Sequence, residues 1–297
     1  MSIHVLQSDA ARLPFADKTF SLTLGSPPYM DARTYGIGVQ RKCLEWVEWM
    51  LGVTREAVRV TDGLVLWVVA GVTRKKCYWP GPEMLLAEWW KRGGQCWRPA
   101  YWHRVGVPGS GGKQWLRADV EYVLAFKGAG DLSWSDNTAC GHPPKWGPGG
   151  EMSHRLSNGA RVNQWGYIGS GNRRANGSRR TSIKRMRQPN GSRETQAYTP
   201  PVLANPGNLI KTNVGGGLLG HKLAHENEAP YPEALVEFFV KSFCPPNGRV
   251  LDPFSGSGTT IDVADRLGRK GVGCDLRMSQ CVLAKRRCFG ELYAGVA

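Results

Sequence analysis

Two rhythms of hydrophobic positions alternate along this chain. Short, nearly continuous apolar runs occur at 3–9 (IHVLQSD), 21–29 (SLTLGSPPY), 63–69 (GLVLWVV), 249–252 (RVLD) and 270–275 (KGVGCD). Runs of that length and continuity predict strands buried on both faces, as in a parallel sheet. Between them, apolar residues recur every three or four positions at 41–60, 82–94, 259–268 and about 277–290, and in the stretch leading to 243. Those stretches predict amphipathic helices packed on the sheet, and the one at 82–94 stops at glycine. Segments 99–106 and 119–128 predict an antiparallel pair at the sheet edge, joined by a glycine-rich loop at 107–118. Strands alternating with helices place the chain in the α/β class.

Composition narrows the picture. At 297 residues there is room for one large domain, or a domain with a sizeable insertion. The net charge of +15 and a pI near 9.7 favour a polyanionic partner, nucleic acid first among them. No apolar run approaches the ~18 residues of a membrane span. The N-terminus has no basic segment followed by an apolar core, which predicts no export signal. Eight cysteines without a CxxC pair predict reduced thiols and a cytoplasmic protein. Cys274, Cys281 and Cys288 read as buried residues, and His221, His225, Cys140 and His142 lack the spacing of a four-ligand site, so no metal is expected.

Charge is not evenly spread. Residues 128–222 hold 13 Lys and Arg against 4 Asp and Glu, a net of +9, together with 17 of the 38 glycines. A segment so polar cannot build a large core of its own. Arg173, Arg174, Arg179, Arg180, Arg185 and Arg187 are its candidate nucleic-acid contacts, able to neutralise phosphates and to read guanine edges.

Two stretches carry candidate chemistry. In RVLDPFSGSGTT (249–260) a strand runs into Asp252, and Gly256 and Gly258 flank Ser257 before a helix that opens at Thr259. Glycines there let backbone N–H groups approach a ligand closely. Asp275 ends the next apolar run, 23 residues after Asp252, where an acid can grip the two hydroxyls of a ribose. Near the start of the chain, a strand ends in Ser26-Pro27-Pro28-Tyr29, and the prolines fix where the Pro27 carbonyl and the Tyr29 ring point.

A polar residue, two prolines and an aromatic after one strand, with DPFSGSGTT after another, resemble the S-adenosylmethionine-dependent DNA methyltransferases that modify N4 of cytosine or N6 of adenine. Because the tetrapeptide precedes the cofactor loop, the chain resembles the circularly permuted beta class. The resemblance covers residues 1 to about 127 and 225 to 290. It implies a Rossmann-like class I methyltransferase sheet, divided into a catalytic half (1–127), a target-recognition insert (128–222) and a cofactor-binding half (223–297). It implies that Ser26 and the Pro27 carbonyl accept hydrogen bonds from the target amine, that Pro28 stiffens the turn, and that Tyr29 stacks on a flipped base. Asp252, Pro253, Phe254, Gly256, Ser257, Gly258 and Thr259 would hold the methionine part of S-adenosylmethionine. Asp275 would take the ribose, with Asp9 and Ala10 at the adenine. HENEAPYPEALVEFFVKSF (225–243) resembles the family's tenth motif, which packs beside the methionine moiety, although three residues separate His225 from Ala229. Serine at the first tetrapeptide position accompanies cytosine N4 more often than adenine N6. Monomer and homodimer both remain open.

Overall fold

The computed structural model describes residues 3–30, 42–106, 115–132, 134–143, 202–214, 220–227 and 229–290, and four short strands between 154 and 197. In chain order the elements are β1 (Ile3–Gln7), β2 (Phe20–Gly25), α1 (Cys43–Val60), β3 (Thr61–Val69), β4 (Val72–Arg74), β5 (Cys77–Trp79), α2 (Gly81–Lys91), β6 (Cys96–Val105) and β7 (Val120–Lys127). There follow β8 (His154–Arg155), β9 (Arg161–Val162), β10 (Ile183–Arg187), β11 (Arg193–Ala197), β12 (Leu209–Asn213) and a 3-10 turn (Lys222–Glu226). The chain ends with α3 (Glu233–Phe243), β13 (Arg249–Asp252), α4 (Thr259–Arg266), β14 (Lys270–Asp275) and α5 (Met278–Phe289).

Eight strands form one sheet in the order β1-β14-β13-β2-β3-β7-β6-β12. The first five run parallel; β7 is antiparallel to β3 and β6 to β7. The apolar run of β3 shows why both faces are covered. Leu64, Leu66 and Val68 pack with Leu235, Val236, Phe239 and Val240 of α3, whereas Val65, Trp67 and Val69 pack with Val47, Met50 and Leu51 of α1. Successive side chains of a strand point to opposite faces, so an unbroken apolar run fits only between two helix layers. At the far edge, Ile3 and Val5 of β1 cluster with Ala284, Cys288 and Phe289, which brings the last helix of the chain against its first strand.

One expectation needs correction. The β6–β7 pair is not the sheet edge, because β12 adds in parallel outside β6, with Ile210 opposite Trp102 and Thr212 opposite Arg104. Trp102 Nε1 donates to Thr212 Oγ1 at 2.7 Å and secures that edge. By compactness the chain divides into two units, 1–140 with 206–297, and 141–205. The second unit, taken by itself, contains the hairpins β8–β9 and β10–β11 and a bridge between His142 and Ala204.

Arg287 of α5 ties three helices together. Its side chain is fully buried; it donates to Thr259 Oγ1 at 2.9 Å, pairs with Asp262 of α4 at 3.1 Å, and pairs with Glu233 of α3. A buried guanidinium is tolerated only when its charge and donors are matched. We expect Arg287→Ala to cost about 3 kcal/mol in urea unfolding, because it removes the buried guanidinium that joins the three helices and leaves Glu233 and Asp262 only the exposed Arg266 as a partner. A loss below about 1 kcal/mol would show that the cluster is solvated.

Candidate active site

Strand pairing decides which loops meet. β13 pairs with β2 in parallel, Val250 opposite Leu22 and Leu251 opposite Thr23, so the turns after Asp252 and Gly25 leave the sheet side by side. β14 lies on the other side of β13 and ends at Asp275. The resulting cleft is lined on one wall by Ser26 and Pro27, and on another by Phe254, Ser255, Gly256 and Thr259. Asp275 and Arg277 line a third wall, and Asn227, Ala229, Pro230 and Tyr231 close it. Residues more than two hundred positions apart thus face one space.

The glycine loop is built tightly against the end of β14. Ser255 N donates to the Cys274 carbonyl at 2.8 Å, Gly256 N to Asp275 Oδ2 at 3.1 Å, and Gly258 N to the Ser255 carbonyl at 2.7 Å. Arg277 N donates to the other oxygen of Asp275 at 2.9 Å. Gly256 has φ +47°, and a Cβ there would come within 2.6 Å of Asn227 Nδ2. The left-handed backbone favours glycine, and a side chain there would also push the Asn227 amide aside.

Asp252 is buried beside the cleft. It is 1% exposed and is not among the residues lining the cleft; its Oδ1 accepts from Phe254 N at 3.0 Å and its Oδ2 from Tyr231 OH at 3.0 Å. The Tyr231 hydroxyl also bonds Thr260 Oγ1. Asp252 therefore joins the glycine loop to the Ala229–Pro232 turn behind the cleft wall. Phe254 meets Trp49 and Trp67 edge to face. Ser257 Oγ and Ser255 Oγ are both buried without a hydrogen-bond partner, and of the two residues only Ser255 lines the cleft. Pro28, Tyr29, Pro253 and Gly258 likewise do not line the cleft.

The tetrapeptide is held from three elements. Ser26 Oγ donates to the Val68 carbonyl of β3 at 3.0 Å, and Trp46 Nε1 of α1 donates to the Pro28 carbonyl at 2.8 Å. Tyr29 OH donates to Glu121 Oε2 of β7 at 2.5 Å. Asp9 follows β1 on the same sheet edge, two positions beyond Gln7, the partner of Asp275; its Oδ1 accepts from Ala11 N at 2.9 Å. Ala10 is buried in the cluster of Met30 and Trp46. Neither lines the cleft.

Asn227, Tyr231, Ser255, Arg277 and Glu121 carry parts of this arrangement that motif reading did not single out. The Ala-Pro-Tyr-Pro turn and the position of Arg277, two after Asp275, were the available signals. Arg173, Arg174, Arg179 and Arg180 lie outside the described residues, as do 107–114 of the glycine-rich loop and the side chain of His225. Arg185 and Arg187 sit on β10 opposite Thr195 and Arg193 of β11.

Burial, the largest cause, pushes the Asp252 carboxyl up to about 6 from 3.8, against hydrogen bonds from Thr260, Phe254 N and Tyr231. A carboxyl whose folded pKa is raised binds its proton more tightly in the folded state. Its contribution to stability is complete below pH about 3.8 and is lost as pH rises through about 6. Asp252→Asn keeps the shape and cannot ionise. In urea titrations the variant should match the parent near pH 4 and exceed it above pH 7 by at most about 3 kcal/mol. A difference independent of pH would show that this carboxyl does not titrate in that window.

Comparison with known proteins agrees with this geometry. A family model described as DNA methylase, covering N6 and N4 methyltransferases, matches residues 20–286. The type II methyltransferase M2.LlaDCHI of Lactococcus lactis subsp. cremoris is 38% identical over 85 residues, 28% of this chain and 32% of that protein. M.BglII of Bacillus subtilis is 41% identical over 102 residues, 34% of this chain and 28% of that protein. The matched segments thus span about a third or less of these curated relatives. Among solved structures, the cytosine-N4-specific PvuII DNA methyltransferase superposes with TM-score 0.64 at 17% identity, covering 99% of this chain and 86% of that one. A putative DNA modification methylase from Thermus thermophilus, complexed with S-adenosyl-L-methionine, gives 0.54 at 20% identity over 96% and 92% of the two chains. The fold is that of these methyltransferases, and with the family match extending over most of its length this chain belongs to the DNA methylase family of N6/N4 methyltransferases.

Proposed function

We propose that this protein methylates DNA, moving a methyl group from S-adenosylmethionine to the exocyclic N4 of a flipped cytosine. The observation that carries the reading is the shared cleft, which Ser26 and Pro27 line together with Gly256 and Asp275. The cleft suits the cofactor. Gly256 presents a surface without a side chain, Ser255 Oγ is a buried polar atom without a partner, and Asp275 supplies an acid at a strand tip. Asp275 would take the ribose hydroxyls, and Ser255, Gly256, Thr259 and the Asn227–Tyr231 wall would surround the methionine part. When bound, S-adenosylmethionine supplies an electrophilic methyl on sulfur.

The chain's own residues prepare the other reactant. An aromatic amine is a poor nucleophile because its lone pair is delocalised into the ring. Acceptors for its two hydrogens favour a tetrahedral nitrogen and aim the lone pair. Ser26 Oγ has committed its proton to the Val68 carbonyl, so towards an amine it acts through its lone pairs as a neutral acceptor. The Pro27 carbonyl takes the second hydrogen, and Tyr29 stacks on the base. Serine in the first position is the basis for choosing cytosine over adenine. The buried target of a duplex cannot reach such a site without eversion.

Strand order β1-β14-β13-β2-β3-β7-β6, with α5 packed against β1, supports a circular permutation of the methyltransferase sheet. The basic segment within 128–222 serves as the DNA-recognition region, and Arg173, Arg174, Arg179, Arg180, Arg185 and Arg187 are its proposed phosphate and base contacts. Asp9 accepts from the cofactor's adenine amino group.

Nucleoside mass spectrometry of DNA from cells expressing the protein should show N4-methylcytosine. N6-methyladenine in its place would overturn the choice of base, and absence of both would overturn the methyltransferase reading. Ser26→Ala should lower kcat about 100-fold with S-adenosylmethionine affinity kept. Gly256→Val should abolish that affinity in calorimetry. Equal loss of both properties in both variants would contradict the division of roles.

A further inference from the structure

Tyr29 has a partner that the family motifs do not include. Glu121 sits near the start of β7, which runs antiparallel to β3, so it lies at the same end of the strands as Val69, the partner of Tyr122. Its side chain is 8% exposed, and its two oxygens are divided between two partners. Oε1 pairs with Arg104 Nη1 at 2.9 Å, and Oε2 accepts from the Tyr29 hydroxyl at 2.5 Å. An acid needed only to neutralise Arg104 would not spend its second oxygen on a side chain 92 positions away. Arg104 is itself fixed on β6: Nη2 donates to the Ala118 carbonyl at 2.6 Å and its backbone N to the Asp119 carbonyl at 2.8 Å.

The backbone of the tetrapeptide is stiffened by two prolines and by the bond from Trp46 to the Pro28 carbonyl. The Tyr29 ring itself packs against the cluster of Met30 and Trp46. A ring that must receive an everted base gains most if its plane is set beforehand, because ordering it during binding costs free energy. A hydrogen bond from the ring's far end to an ionised carboxylate, itself anchored by a guanidinium, supplies that constraint.

We propose that Glu121 is a positioning residue of the base pocket, its carboxylate, oriented by Arg104, holding the Tyr29 hydroxyl and so fixing the ring on which the target base stacks. The proposal rests on the methyltransferase reading and adds a reason for tyrosine at this position: phenylalanine could stack, but it could not be held from its far end.

A double-mutant cycle on the full-length protein tests it, with unmethylated DNA carrying the target sequence as substrate. Tyr29→Phe leaves the Glu121–Arg104 pair and the aromatic face in place. It should lower kcat at saturating DNA about tenfold, with the KM for S-adenosylmethionine unchanged. Glu121→Gln should cost a similar factor in the parent and almost nothing further in the Tyr29→Phe background. Wild-type kcat in Tyr29→Phe would overturn the proposal, even if Glu121→Gln failed to fold. So would a Glu121→Gln loss of the same size in both backgrounds, which would assign Glu121 to structure alone. A parent protein that methylates no DNA would sink the functional reading itself, an outcome separate from either of these.

Discussion

The parallel pairing of β13 with β2 is the constraint on which the rest depends. It places the turn after Asp252 beside the turn after Gly25, and without it the glycine loop and the Ser-Pro-Pro-Tyr segment would have no reason to meet. That pairing is strongly specified because both strands are buried. Leu22, Leu24 and Val250 share the cluster under α3, while Leu251 packs with Phe20 on the opposite side. A register slip of one residue would exchange the two faces of a strand and undo both layers.

Around that junction the protein satisfies its own polar groups in ways that set the shape of the cleft in advance. Asp275 accepts from Gly256 N and Arg277 N, so the acid at the strand tip also shapes the loop beside it. Asp252 and Tyr231 join the glycine loop to the Ala229–Pro232 turn, and Arg287 joins the helices that follow each. The tetrapeptide is treated likewise, with Ser26, Pro28 and Tyr29 each tied to a different element. A site held this way loses little free energy to ordering when a ligand arrives.

Much of this was legible in the sequence. Continuous apolar runs marked β3, β13 and β14, because strands buried on two faces carry no alternation to confuse them. The glycine loop, Asp275 and the tetrapeptide stood out as turn chemistry after strands, and the structure brings Ser26, Pro27, Phe254, Gly256, Thr259 and Asp275 to one cleft. What sequence could not supply was the direction of individual side chains. Asp252 and Ser257 sit in the motif, yet the former turns into the wall and the latter is absent from the lining, whereas Ser255 lines it. Tyr231 and Glu121 act through partners 21 and 92 positions away, a separation that local spacing cannot encode. β12 was missed because LIKTN offers only Ile210 and Thr212 to the interior, within a glycine- and asparagine-rich basic stretch.

The central claim is that one cleft presents a methyl donor to an amine held at Ser26 and Pro27. A crystal structure with S-adenosylhomocysteine tests it most directly. The account predicts the ribose hydroxyls at Asp275, the amino-acid end along Ser255 and Gly256, and the sulfur turned towards Ser26. A ligand bound outside this cleft, or one whose sulfur faces away from the tetrapeptide, would contradict it.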